Sequence, residues 1–207
     1  MKPIGLEDIL GRERYGSERD AIRRRSIEHK RQRRVAVGDR LSILFEDRAT
    51  VWYQVQEMLW VESTTDLDAI RAELAVYNAM LPLRDEFSTT LLVEIPDQER
   101  IRDELSRLIG IDEHVSLEIA GGPRVRGRFE DGRQTADRLS AVQYVRFPLG
   151  PEGQRSIARG APFALAVSHP NYQVRVDVPE AVRASLAADL DDPAAPDAAL
   201  RRVRDGS

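Results

Sequence analysis

The residues able to do chemistry are densest in one short stretch, Val51 to Glu62, "VWYQVQEMLWVE". At about 100° per residue, Val51, Val55, Leu59 and Met58 form one apolar helical stripe, bordered by Trp52. Tyr53, Gln54 and Glu57 fall on the far side, and Tyr53 and Glu57 are spaced i, i+4, so their side chains can meet. A phenol, an amide and a carboxylate on one face have the chemistry of a small-ligand or enzyme site built around Glu57. The plain alternative is a solvated face, which any surface helix shows. Trp60 and Val61 flank Glu57, so this second face is unusually apolar and calls for a cover. The cover is the rest of the fold, a second copy of the chain, or a ligand. Glu62 returns to the apolar stripe, where a carboxylate needs a cation, water or a shifted pKa.

His169 continues the Phe163, Leu165, Val167 face and precedes Pro170. That places it at a strand end near the core margin, where it joins the ligand set as a candidate. A satisfied structural histidine is the ordinary alternative. His114 alternates with Ser116 and Glu118 on a polar strand face and is expected to be exposed. Glu46 ends a strand just before the Val51 helix, a common place for a site, yet no spacing identifies one there.

A second set is basic. From Arg12 to Arg40 there are 11 Lys and Arg against 5 Asp and Glu, whereas from Leu41 onward there are 19 against 28. Arg23, Arg24, Arg25, Lys30, Arg31, Arg33 and Arg34 crowd the end of one helical segment at about residues 17–34. Such a surface suits phosphates or an acidic protein. No aromatics interleave the basic residues and no helix-turn-helix glycine turn is evident, so an acidic protein partner is preferred to nucleic acid.

Other chemistries are excluded or disfavoured. With no cysteine, the chain alone has no disulfide, thiolate nucleophile, cysteine-ligated zinc or iron–sulfur cluster. Three histidines, His29, His114 and His169, do not suggest a metal site, and no cofactor is expected. Phosphate-loop, dinucleotide, nucleophile-elbow and zincin motifs are missing. No apolar run suits a membrane span and no secretory leader is read, so the expected compartment is the cytoplasm.

The elements that must position these residues follow from periodicity. Ser17 is the expected cap of the basic helix, with Ala21, Ile22 and Ile27 as its narrow apolar stripe. "RLSILFED" alternates as a strand, and Asp47 or Thr50 starts the Val51 helix. A further helix runs through Leu67, Ile70, Leu74, Tyr77 and Leu81 to Pro82. "FSTTLLVEI" is a strand, "DQERIRDELSRLIG" a helix, and "EHVSLEIAGGPRVRGRFE" a hairpin turning at Gly121-Gly122. "RLSAVQYVRFPL" is apolar on both faces and so is an interior strand. "PEGQRSIARG" is a short helix or turn, "APFALAVSHP" a strand and "VPEAVRASLAADL" a helix. Early helices and later strands joined by tight turns indicate an α+β fold with a mainly antiparallel sheet packed with helices. One domain is expected over residues 1–190, with 191–207 a frayed, flexible tail.

The stretches "FEDRATVWYQVQEM" and "QYVRFPLG", with "TLLVEI", "EHVSLEI" and "VSHPNY", resemble a bacterial family of unknown function over about residues 4–190. The genes of that family often lie beside rubrerythrin and heterodisulfide-reductase-like iron–sulfur proteins. The resemblance carries no functional residues. It implies a redox or peroxide-stress setting, in which this cysteine-free chain is not the electron carrier. The preferred expectation is therefore a non-enzymatic accessory protein that docks an acidic partner through the basic helix. The alternatives are the ligand or enzyme site at Glu57 and, third, nucleic-acid binding.

Overall fold

The computed structural model describes residues 1–135, 138–192 and 194–206. Two antiparallel sheets form the body, where the sequence suggests one. The first has the order β1 (Arg34–Val37), β2 (Leu41–Phe45), β3 (Glu86–Val93), β7 (Val142–Pro148), β6 (Arg128–Phe129). The second has the order β5 (Arg124–Arg126), β4 (Val115–Ile119), β8 (Phe163–His169), β9 (Tyr172–Asp177). The hairpin through Gly121-Gly122 forms as expected, as β4–β5. The chain then leaves that sheet, and β6 pairs with β7 in the other. Gly127 makes the crossing: its N–H donates to Val115 O at 2.9 Å, and a Cβ there would stand 2.7 Å from Val145 Cγ1.

Alternation along the strands divides the apolar residues into two cores. Val35, Val37, Leu41, Ile43 and Phe45 meet Leu117, Leu165 and Val167 of the second sheet in the first core. The opposite face of the first sheet carries Ser42, Leu44, Ser88, Thr90 and Tyr144. Tyr144 packs against the second core, which is helical. Its helices are α1 (Arg12–Arg31), α2 (Arg48–Val61), α3 (Leu67–Asn78) and α7 (Ala195–Asp205). Two more, α4 (Ile101–Arg107) and α5 (Gly150–Ala158), lie among the strands in sequence, and α6 (Glu180–Asp191) follows β9.

Two expectations need correction. Helix α1 begins at Arg12 with Gly11 at its cap, and Ser17 is interior, its hydroxyl donating to Arg14 O at 2.8 Å. The extra turn brings Tyr15 into the buried stripe with Ile22, while Ile27 is 47% exposed. The frayed tail is instead helical in α7, where Pro196, Ala199, Leu200 and Val203 are buried against the helical core. Pro193 and Ser207 of that expected tail lie outside the described residues. Among the described residues no helix is long and apolar enough to cross a membrane.

Candidate functional site

The concentration of buried charge lies where β2 hands over to α2. Asp47 caps α2, accepting from Thr50 N at 2.8 Å, while its own N–H donates to Thr50 Oγ1 at 2.9 Å. This reciprocal bond satisfies two otherwise orphaned donors of the helix start. Asp47 is fully buried, and its Oδ2 is 2.7 Å from His29 Nε2 and 3.4 Å from Arg33 Nε. Arg33, 1% exposed, donates through Nε to Phe45 O (2.9 Å), through Nη1 to Ser185 Oγ (3.0 Å) and through Nη2 to Asp189 Oδ2 (2.6 Å). One guanidinium thus joins the end of α1, the end of β2 and helix α6.

These neighbours set the proton affinities. Burial alone pushes the Asp47 carboxyl up, but Arg33, His29 and the Thr50 N–H outweigh it and hold the group well below the usual carboxylate range. Asp189 goes the other way. Burial raises it, Arg33 opposes, and the nearby charge of Asp47 adds to the rise. Two acids on one arginine are thereby driven apart.

Glu46, 2% exposed, continues the network toward α2. Thr90 Oγ1 donates to its Oε1 at 2.5 Å, Thr50 donates its hydroxyl to Oε2, and Gln54 Nε2 lies 3.3 Å from Oε1. Burial raises the Glu46 carboxyl, and the two threonine hydroxyls and Lys30 only partly offset it. Lys30 is pushed down by burial, with Glu46 opposing, and its Nζ sits 5.0 Å from the Tyr53 ring centroid. No hydrogen bond or ion pair reaches its ammonium among the described residues.

The raised carboxyl has a definite pH signature. Its contribution to stability is complete below the unfolded value of about 4.3 and is lost as pH climbs through the folded value. Glu46→Gln removes that titration. The variant is therefore expected to gain on the wild type as pH rises from about 4 toward neutrality. Urea midpoints across that range check it, and a parallel pair of pH profiles counts against a raised Glu46.

Of the ligand set read from sequence, Gln54 reaches Glu46, while Tyr53 stays on the side of Glu57, whose charge adds to the burial that raises its phenol. Glu57 is satisfied: Arg19 donates to it through Nε (2.8 Å) and Nη2 (2.7 Å), and Tyr15 donates its hydroxyl. The Arg19 hydrogen bonds hold Glu57 low. The cover on this second face is α1 itself. Gly16 permits the approach, since a Cβ there would be 2.8 Å from the Trp60 ring, and Arg12 stands 4.4 Å over the same ring. Glu62 solves its problem by facing solvent at the end of α2.

His169 is not in this group. It is 4% exposed in the second sheet, its Nε2 is 3.0 Å from Ile109 O, and its Nδ1 accepts from Asn171 N at 3.2 Å. Both ring nitrogens are occupied, which is the structural role. His114 is half-buried, its ring 5.3 Å edge-on from His169, rather than exposed.

The basic set does not form one surface. Arg23 and Arg24 are exposed, but Arg25 donates to Val203 O (2.8 Å) and Arg204 O (3.0 Å), holding the end of α7. Arg31 pairs with Glu28 at 2.8 Å, and Arg34 with Glu94 at 2.9 Å. Lys30 is half-buried, and Arg33 is interior and so cannot belong to a docking face.

A cavity of about 410 Å³ opens onto this network, bordered by Arg33, Glu46 and Asp189 with Phe87, Leu83 and Leu190. Asp189 Oδ2 is taken by Arg33, and no protein donor reaches its Oδ1 among the described residues. No three acidic or histidine side chains converge as metal ligands among those residues. Sequence reasoning noticed Glu46 but missed Asp189 and Ser185, which are distant in the chain and carry no motif.

Comparison with known proteins gives a consistent setting. A family model, "Protein of unknown function (DUF3501)", matches residues 3–190. Among curated proteins nothing matches. The chain is similar to a crystallised novel protein of unknown function from Burkholderia pseudomallei K96243, with 35% identity and a TM-score of 0.86. That match covers 92% of this chain and 100% of the other.

Proposed function

We propose that this chain, which belongs to the DUF3501 family of proteins of unknown function, is a small-ligand-binding protein whose site is the cavity at Arg33, Glu46 and Asp189. One observation carries the reading: the cavity borders on the same buried groups whose proton affinities the fold perturbs. Asp189 is the anchoring residue, with an oxygen unclaimed by the protein and a carboxyl raised by burial. The matching ligand offers an amine or hydroxyl donor to Asp189 and an apolar body to Phe87, Leu83 and Leu190. Arg33 holds Asp189 in place and is not itself free.

A thermal-shift screen of small primary amines and alcohols, followed by calorimetry on the hits, tests this. Hits are expected to raise the midpoint of the wild type and to bind Asp189→Asn at least about tenfold more weakly. A screen without hits, or equal affinity for the variant, overturns the reading.

A second reading, an accessory protein of a cytoplasmic rubrerythrin or iron–sulfur module, is supported by Arg23 and Arg24, which stay exposed on α1. Its acidic partner would be lost from a low-salt pull-down on Arg23→Glu with Arg24→Glu. Arg25 is left untouched because it holds α7. Unchanged capture by that double variant removes the docking role.

A further inference from the structure

The opposite end of α2 borders a second cavity, of about 280 Å³, which none of the chemistry above uses. Its walls are apolar: Leu6, Leu10, Leu59, Ile70 and the indole of Trp60. Of the polar groups in the wall, the Thr64 and Thr65 hydroxyls make no hydrogen bond among the described residues, whereas Gln56 and Tyr15 are already spent. Gln56 accepts from Leu10 N at 2.9 Å and donates to Leu10 O at 3.2 Å, and the Tyr15 hydroxyl is on Glu57. Arg12 is different. Its Nη1 donates to Trp60 O at 3.0 Å, while its Nε and Nη2 meet no acceptor among the described residues. Arg12 lines this cavity with part of its planar donor fork unspent.

We propose that this cavity binds a small monocarboxylate with a compact apolar body, such as a phenyl or branched alkyl group. The carboxylate pairs with the Arg12 fork, which suits two carboxylate oxygens in one plane. The body lies against Trp60 and the leucines. A cationic ligand would meet Arg12, with Arg19 6.0 Å from the same indole. The size fits, since pockets for drug-sized molecules start at about 300 Å³ and this one takes something smaller.

The two tryptophans make the test direct. Trp52 is fully buried with its Nε1 donating to Asp8 O at 3.0 Å, so it stays silent, whereas Trp60 lines the cavity. Sodium phenylacetate and sodium 3-methylbutanoate are titrated against intrinsic fluorescence in the full chain. At least one is expected to give a saturable change with a Kd of about 1 mM or tighter. That change is absent in Trp60→Phe. Phenylacetamide, and Arg12→Gln with the acids, are expected to bind at least about tenfold more weakly. Arg12 is exposed at the first position of α1, so its replacement leaves the fold in place. The proposal is overturned if neither acid gives a saturable change, if the change persists in Trp60→Phe, or if the amide or the Arg12 variant binds equally well.

Discussion

Arg33→Met is expected to lower stability by about 3–5 kcal/mol, the range seen when one partner of a buried ion pair is removed. The side chain is 1% exposed, and its guanidinium faces Asp47 and Asp189 together. Methionine fills similar volume but leaves Asp189 with no cation, Asp47 with only His29 and the Thr50 N–H, and Phe45 O without its donor. The deficit is expected to shrink in acid, because burial already raises Asp189 and protonation removes the stranded charge. Adding Asp189→Leu should recover part of the loss, since the two side chains share one bond. Urea unfolding of the wild type, both single variants and the double variant at pH 7 measures the coupling. If Arg33 were a docking residue, its replacement would weaken capture of a partner and leave the urea midpoint where it was. These outcomes separate a core arginine from a surface one.

Removing residues 195–207 is expected to be costlier still. Leu200 and Val203 are 1% and 2% exposed, and each buried side chain of this size contributes about 1.5–3 kcal/mol. The deletion also uncovers apolar surface on α1 and α2 and takes away Asp197, which pairs with the buried Arg48 at 2.9 Å. The expected total is about 5 kcal/mol or more. Leu200→Ala alone should cost about 2–5 kcal/mol. A frayed tail predicts no change from either alteration. Thermal melts read the sum, and amide exchange in α2 reads where the loss falls. Helix α7 lies outside the stretch matched by the family model, residues 3–190, yet it completes the helical core of this chain.

These two cases mark where the sequence was and was not readable. The handover at "LFEDRAT" was legible, because a short alternating run met an acidic cap and an apolar stripe. The faces of α2 were legible too, and Tyr53 does lie on the side of Glu57. Arg33 was not, because its burial depends on Asp189, 156 residues further on. Within "KRQRR" it has the look of its exposed neighbours. Helix α7 did carry a signal, with Pro196, Ala199, Leu200 and Val203 at helical spacing. Two of those four residues are a proline and an alanine, so the stripe was too weakly apolar to announce a core helix. Glu57 was read as a site because its cover was out of sight. That cover depends on one glycine, Gly16, letting α1 come down on Trp60.

The ion pair between Arg14 and Asp205 joins residues 191 positions apart, and Gln56 ties back to Leu10 across 46. The sheets, by contrast, contain hairpins such as β1–β2 and β8–β9, whose strands are neighbours in sequence. Closing a long loop costs entropy before any contact offsets it, and pairings distant in sequence form slowly. The two cores are therefore expected to mature on different clocks. The hairpins assemble early, and the helical layer closes only when α7 returns to meet α1. Until then, the face holding Tyr15 and Trp52 is the part of the folding chain most exposed to wrong partners.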